Sequence, residues 1–142
     1  MDAISGGASV LAFVGIALQS TKAIYETISG IKDAPEQVQK LVSAIHNLQV
    51  VLTQLSACPA VKLADPHTDG KVIHDLVQAC SRDVIGYEKD IKKLHITQGD
   101  KNAHQLWKRL KTRFQEKDLQ RMWSRISHHV MELNIQLNLL QS

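Results

Sequence analysis

The chain has 142 residues, a formal net charge of +3, 4% aromatic residues and three prolines. A chain of this length can bury a core of its own, so it needs neither disulfides nor metals to fold. Two cysteines, Cys58 and Cys80, make no disulfide framework, and the N-terminus lacks the basic region of a secretory signal. We therefore expect one domain over residues 1–142, in a reducing cytosol, as the N-terminal part of a longer protein.

The first stretch, residues 4–28, has the periodicity of a helix but carries no charge over residues 3–21. Three- and four-residue steps predict a core face formed by Leu11, Val14, Leu18, Thr21, Tyr25 and Ile28. At about 100° per residue, Ala12, Phe13 and Ile16 point away from that face. A helix that is apolar all round is buried on all sides or meets a membrane.

Three explanations are open for this second apolar face. It is covered by another part of the domain, it is a dimer surface, or it acts on a membrane. The nineteen uncharged residues 3–21 approach the length that spans a bilayer, but Gly6, Gly7, Gly15 and several serines weaken that interpretation. We expect no stable span in the resting protein, whereas conditional insertion stays open.

A second helix is predicted to begin at an Asp33-x-x-Glu36 capping box, with Pro35 in its first turn. Its core face comprises Val38, Leu41, Val42, Ile45, Leu48, Leu52 and Leu55. Cys58-Pro59 should end this helix. Two prolines, a glycine and polar spacers then indicate the main loop, over residues 58–70.

Two long helices and one short helix are predicted in the rest of the chain. A third helix, from about Lys71 to Leu94, has the core face Ile73, Leu76, Val77, Cys80, Val84, Tyr87, Ile91 and Leu94. After a loop at residues 97–100, a short helix carries Leu106, Trp107, Leu110 and Phe114. Asp118 either caps a last helix or lies where the chain continues into it. The core face of this last helix comprises Leu119, Met122, Ile126, Val130, Leu133, Leu137 and Leu140. We predict an all-α fold, an antiparallel bundle of four long helices plus a short additional helix.

The basic excess is confined to residues 101–142, which carry eight basic and three acidic groups. It is concentrated in Lys108, Arg109, Lys111, Arg113, Lys117, Arg121 and Arg125. One interpretation is a solvated face. The other is attraction to anionic lipid, worth about 1 kcal/mol for each cation near the surface. Nucleic acid is disfavoured because the patch is modest and no recognition motif accompanies it. Trp107 and Trp123 could anchor at a membrane interface, but we expect them in the core.

No arrangement of residues predicts an enzyme, a metal site or a cofactor. The adjacent His128 and His129 diverge by about 100° on a helix, and the other histidines lack an i, i+4 partner for zinc. His74 lacks the Lys-Gly that phosphotransfer modules place after their histidine. No Gly-Lys-Ser/Thr follows Gly6-Gly7, so this pair is not a phosphate loop.

Several motifs, degenerate when taken one at a time, together resemble fungal HeLo-like (HELL) domains. They are the run Ile4–Gln19, the segment Ile31–Glu36 followed by Leu41 and by Leu48–Leu52, the segments Leu106–Leu110 and Phe114–Leu119, and the tail Asn134, Leu137 and Leu139. The resemblance spans nearly the whole chain and depends on the order and spacing of these motifs. Such domains lie at the N-termini of cell-death effectors and of fungal STAND receptors. These receptors are similar to NLR proteins.

The resemblance implies an effector of programmed cell death, fungal innate immunity and heterokaryon incompatibility. An amyloid-signalling or NLR-like partner would activate the cytoplasmic domain, which would then oligomerise at the plasma membrane and form pores in it. The membrane-active helix would comprise Val10, Leu11, Ala12, Phe13, Val14, Gly15, Ile16 and Leu18. Phospholipids would be contacted by Lys108, Arg109, Lys111, Arg113, Arg121 and Arg125. Nucleic acid is not an expected partner.

The chain contains no receptor domain and no amyloid motif, so its sequence leaves the activating signal open. The alternative is a non-lytic, death-effector-like interaction module of a fungal STAND receptor. Such a module would recruit a partner through the same apolar surface without damaging a membrane.

Overall fold

The computed structural model describes residues 6–31, 34–63, 70–93 and 103–142, and for residues 6–9 and 103–107 it describes the backbone alone. These residues form six helices: α1 (Gly6–Ile28), α2 (Glu36–Ala57), α3 (Pro59–Lys62), α4 (Lys71–Lys92), α5 (Ala103–Arg113) and α6 (Glu116–Gln141). The described ranges contain no strand. The predicted all-α bundle with four long helices is confirmed.

The four long helices form a ring in which α1 and α6 each pack against both α2 and α4. Helices α1 and α2 are antiparallel, because the connection over residues 29–35 is too short to span a 23-residue helix, about 34 Å long. Along α1 and α4, Phe13 contacts His74 and Ser20 contacts Glu88, so these two helices run in the same direction. The N-terminal half of α1 therefore lies at the end of the bundle where α4 begins.

The boundary between α2 and α3 follows from Cys58-Pro59, as predicted. Cys58 is extended, which is the conformation favoured before a proline. Pro59 then begins α3, where its missing N–H is not needed, and Val61 is fully buried. The prediction of a loop over residues 58–70 is thus wrong for residues 59–62, while residues 64–69 lie outside the described part of the chain.

Helix α6 begins with a cap that includes Asp118, one of the two predicted alternatives. The backbone N–H of Gln115 donates to Asp118 Oδ2 at 2.9 Å. At the start of α2, Pro35 occupies the N-cap position, so the prediction that it lies in the first turn is wrong. Asp33, Leu94, the predicted loop at residues 97–100 and the side chains of Leu106 and Trp107 lie outside the described residues.

The core faces predicted for α2, α4 and α6 are confirmed. Their buried members are Val38, Leu41, Ile45, Leu48, Leu52 and Leu55 on α2, Ile73, Val77, Cys80, Val84 and Ile91 on α4, and Leu119, Met122, Ile126, Leu133 and Leu137 on α6. Val42, Leu76, Tyr87, Val130 and Leu140 are half-buried and pack against this core, as do Phe114 and Trp123. Leu110 of α5 is buried as well.

Candidate functional site

Helix α1 buries a face that is rotated from the predicted one. Its buried side chains are Val10, Val14, Ala17, Ser20, Thr21, Ile24 and Ile28. Leu11, Leu18 and Tyr25, which the periodicity placed at the centre, are half-buried at one edge. The centre of the buried face is displaced by about 60° from the prediction. The cause is that α1 packs against α4 as well as against α2 and α3, so its buried arc must extend to the side that meets α4.

Phe13 lies on the side of α1 that meets α4. Its ring is half-buried, packs against the core and meets the His74 ring edge-on, with 5.5 Å between the ring centroids. The prediction that Phe13 points away from the core is therefore wrong. The periodicity of α1 alone could not show this, because it does not reveal that a second helix packs there.

The opposite side of α1 is exposed and uncharged over its first turns. It consists of Ala12, Gly15, Ile16 and Gln19, which we name the uncharged α1 face. Ile16 is 42% exposed, which is unusual for a large aliphatic side chain on the outer side of a bundle helix. Charged side chains return to this side only at Lys22 and Glu26. Ala12 and Ile16 thus lie where the sequence predicted.

A polar contact holds the middle of α1 against α4. The buried Ser20 hydroxyl donates to Glu88 Oε1 at 2.8 Å, and Lys92 Nζ lies 2.8 Å from Glu88 Oε2. Burial raises the pKa of Glu88, but the hydrogen bonds from Lys92 and Ser20 outweigh it, so that the pKa lies below its usual value. The ionised carboxylate is therefore the form that stabilises the α1–α4 contact.

The Glu88 contact predicts a pH dependence of stability. The pKa of Glu88 is lower in the folded state than in the unfolded state, where a glutamate has a pKa of about 4.3. The ionised carboxylate therefore stabilises the fold above the unfolded pKa, and this stabilisation is lost as the pH falls through the folded pKa. We expect the wild type to melt at a higher temperature than Glu88→Gln at pH 7, with the difference shrinking below about pH 4. Melting curves of both proteins between pH 7 and 3 measure this, and a constant difference would contradict it.

The residues predicted to contact anionic lipid lie on α5 and the first half of α6. Lys108, Lys111, Arg113, Arg121 and Arg125 are exposed, and Arg109 is half-buried. Two of the six approach carboxylates of α4: Arg113 is 3.8 Å from Asp90, and Arg125 is 3.4 Å from Asp83. These carboxylates partly neutralise Arg113 and Arg125.

Along α4, the contact with Arg113 and the contact with Phe13 lie at different levels. Arg113 meets Asp90 near the end of α4, whereas Phe13 meets His74 near its start. About 16 helical residues separate those two levels, which corresponds to about 24 Å along the bundle. The Arg113 contact is therefore remote from Phe13, whereas Ser20, which follows the last residue of the uncharged α1 face, contacts Glu88 only two residues before Asp90.

A cavity of about 310 Å³ opens between α4 and the turn from α5 to α6. Arg113 and Arg121 line it, together with Tyr87, Phe114 and Met122 and the carboxylates of Asp90 and Asp118. Burial, followed by the charge of Asp83, raises the pKa of Tyr87, while Arg125 and Arg121 act in the opposite direction. The Tyr87 hydroxyl therefore stays neutral at physiological pH.

A side-chain hydrogen bond between α4 and α6 was not predicted. Asp83 Oδ2 lies 2.6 Å from Nε2 of His129, which is only 8% exposed. The sequence indicates that His129 is buried only through its position on the core face of α6. His129 follows Ile126 by three residues and precedes Leu133 by four. Burial, aided by the charge of Asp83, raises the pKa of the neighbouring Cys80 to about 12, so this free thiol is unreactive.

The described residues contain no group of three or more histidine, cysteine or acidic side chains that could hold a metal ion. Among the described helices, none combines the length and the apolar composition that crossing a bilayer requires.

Comparison with known families identifies the kind of domain to which this bundle belongs. Residues 1–141 match the family described as Pigment biosynthesis cluster protein PigL N-terminal. The chain belongs to this family. The match covers the whole bundle, so all six helices are part of one PigL N-terminal domain. Neither a curated protein nor a solved structure matches the chain. The finer resemblance to HeLo-like domains stays a prediction.

Proposed function

We propose that this PigL N-terminal domain is a membrane-permeabilising effector module of a larger fungal cell-death protein. In this proposal α1 leaves the bundle and inserts into the membrane together with copies of itself. The observation that carries it is the position of the uncharged α1 face opposite the buried face. From Val10 to Leu18, a released α1 would be apolar around its whole circumference. The HeLo-like resemblance of the sequence supports the same mechanism.

The energetics require a trigger for release. Val10, Val14, Ile24 and Ile28 are at most 1% exposed. Exposing four such side chains to water costs roughly 6–12 kcal/mol, at 1.5–3 kcal/mol each. This is comparable to the total stability of a typical domain, about 5–15 kcal/mol. Helix α1 therefore stays in the bundle in water, and insertion into lipid would return the lost apolar burial.

Polar groups on α1 favour insertion as an assembly of several copies. Gln19, Ser20 and Thr21 carry hydrogen-bonding groups that lipid cannot satisfy. The Thr21 hydroxyl already donates to the Leu18 carbonyl at 3.0 Å, but Ser20 loses Glu88 when α1 departs. Neighbouring α1 helices can supply new partners, and the small side chains of Ala12 and Gly15 permit a close approach.

A second candidate is a non-lytic interaction module. The observation that favours it is that the uncharged α1 face is already exposed in the folded bundle. A partner could dock on Ala12, Gly15 and Ile16 without any helix being released. The two candidates differ in whether α1 must separate from α4, and this can be tested directly.

The test is a reversible cross-link between α1 and α4. Phe13→Cys and His74→Cys replace two side chains that touch across these helices, so a disulfide-containing bismaleimide can join them. We expect the cross-linked protein to release no dye from phosphatidylcholine–phosphatidylserine vesicles, because α1 cannot leave. Cleaving the linker with a reductant should restore leakage to the level of the unlinked variant. The native cysteines are buried and should not react.

A matched control places the same linker within one helix. Asp75→Cys and Ala79→Cys are exposed positions one turn apart on α4, so a linker between them leaves α1 free. This variant should release dye whether or not the linker is intact. Equal leakage from the Phe13–His74 pair before and after reduction would contradict release of α1. Vesicle or partner binding without any leakage would favour the non-lytic module.

A further inference from the structure

The outer side of α6 carries a straight row of exposed side chains that the core does not use. Its members are Lys117, Arg121, Ser124, His128, Met131, Ile135 and Leu139, which we name the outer α6 stripe. They follow one another at three- and four-residue steps and lie within an arc of about 80°. The stripe is opposite the buried residues Ile126, Leu133 and Leu137.

The two halves of the outer α6 stripe differ in character. Its C-terminal half is apolar, and Met131, Ile135 and Leu139 are 53%, 51% and 63% exposed. Its N-terminal half carries the cations Lys117 and Arg121. The stripe itself contains no acidic side chain, and Glu132 at its edge contacts His128. An apolar segment thus follows a basic one on a single helix surface, with Ser124 and His128 between them.

We propose that the outer α6 stripe docks the folded domain on an anionic membrane. Met131, Ile135 and Leu139 enter the boundary between head groups and acyl chains, while Lys117 and Arg121 contact lipid phosphates. A helix that presents both features on one surface matches the two layers of a bilayer interface. The choice of a membrane as the partner rests on the proposed function, but docking requires no release of α1.

Charge and area favour a bilayer over a second copy of the chain. The three partly exposed apolar side chains of the stripe present roughly 300 Å² of accessible surface. A stable protein–protein interface buries about 800 Å² on each partner, which is well above this area. Arg121 is exposed, and it lies at the edge of the cavity that Asp90 and Asp118 also line, so anionic head groups can approach it from the solvent. An anionic bilayer adds attraction for both cations of the stripe, Lys117 and Arg121.

Vesicle co-sedimentation with three sets of variants tests this docking surface. Met131→Gln, Ile135→Gln and Leu139→Gln together should weaken binding to phosphatidylcholine–phosphatidylserine vesicles at least tenfold. Lys117→Gln with Arg121→Gln should weaken it roughly 30-fold at low salt, and less when salt screens the charges. The matched control is Val50→Gln with Val72→Gln, because these valines are 44% and 52% exposed on other helices. It should bind within about twofold of the wild type.

The outcomes separate docking from permeabilisation. If both stripe variants bind as the wild type does, the docking surface is refuted. A dimer in solution that the triple variant dissociates would assign the stripe to a second copy and also overturn the proposal. Unchanged melting temperatures exclude misfolding as the cause of weaker binding. If stripe variants lose binding while the wild type binds without leakage, docking stands and the proposed permeabilisation fails.

Discussion

Replacing Asp83 alone by leucine should destabilise the domain by about 3 kcal/mol, because it leaves the His129 imidazole buried without its partner. Asp83 also approaches Arg125, which is largely exposed and loses little when that contact is removed. His129→Leu alone should cost about 2 kcal/mol, since Asp83 keeps Arg125 and some solvent. Chemical denaturation monitored by circular dichroism measures both changes.

The double variant Asp83→Leu/His129→Leu should be within about 1 kcal/mol of the wild type, because two apolar side chains can replace a hydrogen-bonded polar pair at little cost. The coupling energy from the four proteins should then exceed about 2 kcal/mol. Arg82→Leu is the control, as it changes an exposed charge on the neighbouring residue and should have an effect within about 0.5 kcal/mol. Simply additive losses would show that Asp83 and His129 contribute separately.

Apolar periodicity predicted most of the fold because α2, α4 and α6 each bury one stripe of aliphatic side chains. Every residue assigned to the core of α2 is buried or half-buried. Apolar periodicity failed to predict a core residue where that residue is not apolar or where the helix is too short to show a period. His129 is at a core position of α6, but a histidine does not register as apolar. Val61 is the buried residue of the four-residue helix α3, which is too short to show helical periodicity.

The candidate site was harder to predict because it depends on which helices are neighbours. A single helix shows its own stripe but not the number of partners that cover it. This is why the buried arc of α1 was predicted on the side of Leu11 and Leu18, whereas the contact with α4 extends it to Phe13 and Ser20.

Two nearby positions on α1 offer the sharpest test of its two faces. Val14 is fully buried, whereas Ile16 is 42% exposed, although only one residue separates them. Val14→Glu should destabilise the domain by about 4 kcal/mol or more, because it removes apolar burial and places a carboxyl in the core. Ile16→Glu should change stability by no more than about 1 kcal/mol. Thermal melting of both variants measures this difference.

Although Ile16→Glu should hardly affect stability, we expect it to have a large effect on membrane permeabilisation. Ile16→Glu should fold normally but lose dye release, because a charge near the bilayer centre costs about 2.5–3.5 kcal/mol on insertion scales. This corresponds to roughly a hundredfold loss in the insertion equilibrium for each copy. Val50→Glu introduces the same charge at a position of α2 that is 44% exposed, and its leakage should equal that of the wild type. If Ile16→Glu melts normally and still permeabilises vesicles, the uncharged α1 face does not enter the membrane, and the interaction-module alternative becomes the better account of its exposure.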